Sequence, residues 1–165
     1  MSRQDQIIHH IYISPGHNYR GHHGREPDAF PLTELETAHC VAGKGIEGDR
    51  YFGYKENFKG QITFFDWDVF CDLCQALNIH DKPPAVLRRN VVVQGLDLNA
   101  LVGKRFDIQG VIFEGTEECK PCYWMNRAFG PGAEDAMQGR GGLRARIITS
   151  GSIQRQPDKQ CSVNA

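Results

Sequence analysis

Cys119-Lys120-Pro121-Cys122 is the run in this sequence whose residue types best support chemistry. A thiol acts as a nucleophile, a sulfur carrier or a soft metal ligand only as the thiolate, which nearby positive charge or backbone donors favour. Lys120 is adjacent, and Arg127 follows within two turns if a helix begins at Pro121, a residue suited to a first helical turn. The dipole of such a helix would favour the anion, while Glu117 and Glu118 would oppose it. A second pair, Cys71-x-x-Cys74, opens the alternative of a four-cysteine structural zinc site. Against it, Cys71 and Cys74 fall inside an apolar helical stretch, where they read more simply as small buried hydrophobes. A thioredoxin-like redox pair would need a βαβ context that the flanks do not offer.

Two further groups stand out. His17, His22 and His23 lie in a polar segment, 16–31, long enough to count as functional rather than as a plain connection. His22 and His23 are candidate pocket residues. His9 and His10 are neighbours in a strand and point to opposite faces, so they do not share a metal. Arg50, Arg88, Arg89, Arg140, Arg144 and Arg146 sit beside glycines or at strand starts. Gly139-Arg140-Gly141-Gly142-Leu143-Arg144 combines backbone N–H groups with guanidinium groups in the manner of an oxyanion or phosphate nest. The alternative for Arg144 and Arg146 is an outward-facing role on a strand.

These residues need a scaffold. A chain of 165 residues, 40% hydrophobic and 24% charged, folds around a proper core. Gln6 to Ser14, Glu36 to Ala42, Gln61 to Phe65, Arg88 to Gln94 and Leu143 to Thr149 read as strands, and Lys104 to Glu114 as a hairpin turning near Gly110. Asp66 to Leu77 has helical spacing with an aspartate as N-cap. Leu96 to Leu101 reads as one helical turn, and Cys119 to Phe129 as a loop passing into a helix. Gly43-x-Gly45-x-x-Gly48 matches a dinucleotide fingerprint in letters only, because no helix start follows it. The expectation is a mainly β single domain over 1–155, with a few short helices and a polar tail, 156–165.

Net charge of -1 gives no general reason to expect nucleic acid or a membrane surface. No apolar run approaches the roughly 18 residues of a spanning helix, and the polar N-terminus lacks a secretory pattern, so the expected location is the cytoplasm.

An ordered series of segments resembles the MOSC domain, named for the C-terminal part of molybdenum cofactor sulfurases. The segments are Gly45-Ile46-Glu47-Gly48-Asp49-Arg50, Arg88-Arg89-Asn90-Val91-Val92-Val93, Leu101-Val102-Gly103, Pro121-Cys122 after a hairpin, and Gly141-Gly142-Leu143-Arg144-Ala145-Arg146-Ile147 with Gly151. The resemblance spans about Ile7 to Ile153 and implies a β-barrel-like fold of the small stand-alone type. It singles out Cys122 as carrier of sulfur or as ligand to molybdenum through the pterin cofactor, with Cys119 as neighbour or resolving thiol. Arg50, Arg89, Asn90, Arg140, Arg144, His22 and His23 are then candidate cofactor-binding residues. The implied chemistry is reduction of N-hydroxylated compounds or sulfur transfer, with a sulfur donor or an electron-transfer protein as partner. The alternative is a non-enzymatic carrier of sulfur or cofactor. Some relatives are fused to a pyridoxal-phosphate-dependent desulfurase, but no lysine motif here is assignable to that cofactor. The family pattern also expects a closing strand for which the segment after Gly151 looks too polar and short.

Overall fold

The computed structural model describes residues 6–16 and 30–156. Ten strands, β1 (Ile7–Ile13), β2 (Thr33–Glu34), β3 (Thr37–Val41), β4 (Gly45–Ile46), β5 (Ile62–Asp66), β6 (Val91–Gln94), β7 (Arg105–Ile108), β8 (Val111–Glu118), β9 (Leu143–Ile147) and β10 (Gly151–Gln154), dominate it. Three α-helices accompany them, α1 (Trp67–Ala76), α2 (Trp124–Ala128) and α3 (Ala133–Ala136), with short 3-10 turns at Pro84–Leu87 and Asn99–Leu101. No helix among the described residues is long and apolar enough to cross a membrane.

The chain is mainly β as expected, but the strands form two sheets that do not close into the β-barrel-like arrangement expected. Seven lie in the order β2-β1-β6-β5-β9-β8-β7, and three in the order β10-β3-β4. Only β5 and β6 run parallel in the large sheet. A parallel neighbour needs a crossover, and α1 supplies it. The outer strands β2 and β7 do not pair with each other, so the large sheet stays open.

Period-two alternation explains how the large sheet is covered on both faces. Phe64, Val91 and Val93 join a core that also holds Ala38, Cys40, Ile46 and Ile153 of the small sheet. Phe65 and Val92 point the other way, to Trp67, Phe70 and Leu73 of α1, Trp124 and Met125 of α2, and Ala133 of α3. The continuous Val run is thus buried on both sides.

The segment after Gly151 does form a strand, contrary to its polar reading. Ile153 is fully buried opposite Ala38, while Ser152 and Gln154 face solvent. One apolar residue in four suffices because β10 contributes a single side chain to the core between the sheets. The hairpin β7–β8, the helix α1 and its Asp66 cap appear as the spacing predicts. The Asp66 carboxylate accepts from the Asp68 N–H at 2.8 Å.

Candidate functional site

Thr63 of β5 pairs with Arg144 of β9, Glu118 at the end of β8 pairs with Leu143, and Val91 at the start of β6 pairs with Phe64. A cleft of about 160 Å³ opens there, lined among others by Arg50, Thr63, Arg88, Arg89, Cys119, Lys120, Cys122 and Arg144. Arg50, Arg89, Arg144 and the pair Cys119 and Cys122, from four separate stretches of sequence, all line it. Tyr51, Phe58, Leu87 and Met125 supply its apolar parts. Five cationic residues line this space, and no carboxylate does among the described lining residues.

The two thiols differ. Cys122 is exposed and Cys119 is buried. Cys119 follows the last residue of β8, its N–H donating to Gly142 O at 2.8 Å. Cys122 lies in the turn before α2, and its backbone carbonyl accepts the Met125 N–H at 2.9 Å. The Arg144 guanidinium interacts with the Cys119 side chain, which favours its charged form. Burial works against the charge of Arg144, but Cys119, Tyr51 and Glu117 outweigh it and raise its pKa above the ordinary value. Glu117 lies 3.4 Å from Arg144 and 3.0 Å from Lys59.

The arginines divide by how their donors are used. Arg89 is buried and donates to Gly141 O at 3.0 Å, Leu87 O at 2.8 Å and Cys119 O at 3.3 Å. It ties the cysteine loop to the glycine turn and to the start of β6. Arg88, in the left-handed region at φ 57°, turns its guanidinium to Ser14 Oγ at 2.9 Å and Gly16 O at 2.8 Å. Arg50 is 6% exposed and donates to Asp49 at 3.0 Å and Arg88 O at 3.2 Å, with its guanidinium 4.7 Å from the Tyr51 ring. Those two bonds engage two of its five N–H donors. Asn90 does not line the cleft. Fully buried, it links three strands through Thr63 (3.0 and 3.1 Å) and Tyr12 O (3.1 Å) and so holds Thr63, which does line it.

Two readings of the glycine-rich run change. Gly141 and Gly142 present carbonyls to Arg89 and Cys119, and a Cβ on Gly141 would meet Cys119 O at 2.2 Å. Close approach of the cysteine loop is what requires glycine there. Arg140 turns away from the cleft, with its guanidinium 2.6 Å from Asp72 on α1 and bonded to Ala136 O, and it lines a separate cavity with Asp66 and Asp97. Arg146 bonds Asn57 O at 3.1 Å, also outside the cleft.

The two CxxC pairs sit on different elements, and Cys71 is disulfide-bonded while Cys74, Cys119 and Cys122 are free thiols. Cys71 and Cys74 pack in the helical layer with α1, and no group of three or more His, Cys, Asp or Glu among the described residues is arranged to hold a metal. A four-cysteine zinc site is therefore not assembled among them. His9 stacks on Trp67 at 4.2 Å with Nε2 2.9 Å from Gln94, and His10 pairs with Glu34. His17, His22 and His23, and the tail from 157, lie outside the described residues.

Asp49, Tyr51, Phe58 and Met125 escaped the reading of the sequence. Asp49 was the most legible. A carboxylate beside Arg50 in a turn, fully buried, accepts from Ser14 N at 3.1 Å and Tyr51 N at 3.3 Å and fixes the Arg50 base.

The fold matches solved structures. YuaD of Bacillus subtilis superposes with a TM-score of 0.68 at 18% identity, over 90% of this chain and 91% of that one. YiiM of Geobacillus stearothermophilus gives 0.65 at 14% identity, over 96% and 77%. YiiM of Escherichia coli gives 0.59 at 15% identity, over 89% and 65%. No curated protein sequence matches. The MOSC domain model matches residues 61–156, more than half of the chain, which includes Arg89, both cysteines of the cleft and Arg144. By that match the chain belongs to the MOSC domain family.

Proposed function

We propose that the chain binds the molybdenum cofactor, or carries sulfur, at Cys122. The observation that carries this reading is an exposed thiol on a cleft whose charged lining is wholly cationic. A soft thiolate suits a high-valent metal or sulfane sulfur, and guanidinium groups suit oxo and phosphate groups. The donor set therefore fits the cofactor. Size agrees for part of it. A cavity of about 150 Å³ holds one benzene ring, so a cleft of about 160 Å³ admits the reactive end of a larger cofactor rather than all of it.

Cys122 would hold the metal or the sulfur, and Arg50, Lys120 and Arg144 would meet the anionic groups. Arg89 and Asn90 act behind the wall by fixing the Cys119 loop and Thr63. Arg140 belongs to the neighbouring cavity. His22 and His23 remain candidates from sequence. When bound, the cofactor supplies two-electron chemistry suited to reduction of an N-hydroxylated substrate. A small anionic or N-hydroxylated ligand and an electron- or sulfur-donating protein are the partners this implies, in the cytoplasm.

The test is reduction of an N-hydroxylated amidine by cofactor-reconstituted protein, with reduced methyl viologen as electron donor. The wild-type chain turns over and Cys122→Ser does not. Equal turnover by Cys122→Ser removes the thiol from the chemistry.

A further inference from the structure

The cleft also has the parts of a site for a small sulfur oxyanion. Arg50 is nearly fully buried yet keeps three of its five N–H donors outside its bonds to Asp49 and Arg88. Arg144 and Lys120 share the lining with it, and the exposed Cys122 thiol opens onto the same small space. Guanidinium N–H groups that remain open on a cationic cleft are ready donors to the oxygens of a small anion. A ligand that fits wholly within this space and uses both the cations and the thiol is small, anionic and reactive toward a thiol.

We propose that the cleft takes thiosulfate and that Cys122 accepts its outer sulfur. The proposal rests on the reading of Cys122 as the reactive thiol, and it needs no metal. The Cys122 thiolate attacks the sulfane sulfur and forms a new S–S bond. The S–S bond of thiosulfate breaks, and sulfite leaves with the electron pair. Cys122 is left as the persulfide anion, so atoms and charge balance without another oxidant or reductant. Arg50 and Arg144 hold the sulfonate oxygens and stabilise the charge that grows on the departing sulfite. Arg144 can serve this role because its present anionic neighbour, Glu117, is itself held by Lys59.

The experiment uses metal-free full-length chain with thiosulfate, and follows sulfite release together with the mass of the peptide carrying Cys122. The expected result is one added sulfur on Cys122 for each sulfite released, and neither in Cys122→Ser. Arg50→Gln risks misfolding because it strands buried Asp49, so Arg144→Gln is the informative variant. Loss of one charged hydrogen bond predicts roughly tenfold slower reaction with thiosulfate. Reaction with a neutral organic trisulfide stays within about twofold of wild type. Two results overturn the proposal: no sulfur gained while iodoacetamide still alkylates Cys122, or Arg144→Gln slowing both donors equally. Failure of iodoacetamide to alkylate Cys122 overturns it in another way, by removing the reactive-thiol reading beneath it. Molybdenum content bears on neither outcome.

Discussion

Replacing Arg89 with alanine removes three hydrogen bonds at once, to Gly141 O, Leu87 O and Cys119 O, and leaves those carbonyls without their charged donor beside the cleft. Each charge-assisted bond has a net worth of roughly 1.5–3 kcal/mol. The three share one side chain and do not add in full, so the loss is about 3–5 kcal/mol, above one such bond and below the sum of three. Set against a domain stability of about 5–15 kcal/mol, that is a large fraction. For a chain of this size it lowers the melting temperature by roughly 6–20 °C. Arg89→Lys keeps the charge, but one ammonium cannot span three carbonyls on separate segments, so its loss falls between wild type and alanine. Urea denaturation followed by circular dichroism measures the loss. Hydrogen exchange at the Cys119 amide, bonded to Gly142 O, reports whether the cysteine loop loosens. A loss under about 1 kcal/mol with an unchanged Cys119 amide would refute the assignment of Arg89 as the tie between these segments.

Three other outcomes follow from named contacts. Gly141→Ala drives a Cβ against Cys119 O and Pro121, and overpacking of that kind costs about 1–3 kcal/mol, read by thermal melting. The same variant displaces the loop and changes the alkylation rate of Cys122. Burial raises the pKa of Asp66, against the Asp68 and Val69 backbone bonds that lower it. The folded chain therefore holds that proton to higher pH than the unfolded chain, and this group's contribution to stability falls as pH rises above the unfolded aspartate value. Asp66→Asn keeps an N-cap acceptor and gains stability at pH 7 relative to pH 3, measured by urea melts at both. A neutral-pH loss of more than about 1 kcal/mol, the size of a lost cap, would contradict this. Burial also pushes the Cys40 thiol up to about 12, so maleimide labels exposed Cys122 first and Cys40 only on unfolding, as peptide mapping would show.

Much of the scaffold was legible because each element carries its own period. The Asp66-capped helix and the hairpin at Gly110 depend on nearby residues and need no tertiary information. The Val91–Val93 run read as buried without saying against what, since only the crossover through α1 places helices on one face and the small sheet on the other. The strand at Gly151 was hidden because one buried Ile153 opposite Ala38 is a weak period-two signal. At the site, residue types found the cysteines and arginines, but not the division of labour among the arginines. Arg89 and Arg140 are both guanidinium groups beside glycines. Their different fates depend on which carbonyls and carboxylates the fold puts in reach, Cys119 O for one and Asp72 for the other. Tyr51 and Phe58 gave no signal, because their place on the cleft follows from the path of the loop between β4 and β5.

Molybdenum and zinc per chain, measured in wild-type and Cys122→Ser protein purified from cofactor-producing cells, test the Cys122-centred account most directly. The account predicts about one molybdenum per wild-type chain and its loss in Cys122→Ser, or, where sulfur alone is carried, a persulfide on Cys122 that the variant lacks. Equal molybdenum in both proteins, or stoichiometric zinc with neither molybdenum nor persulfide, would contradict it.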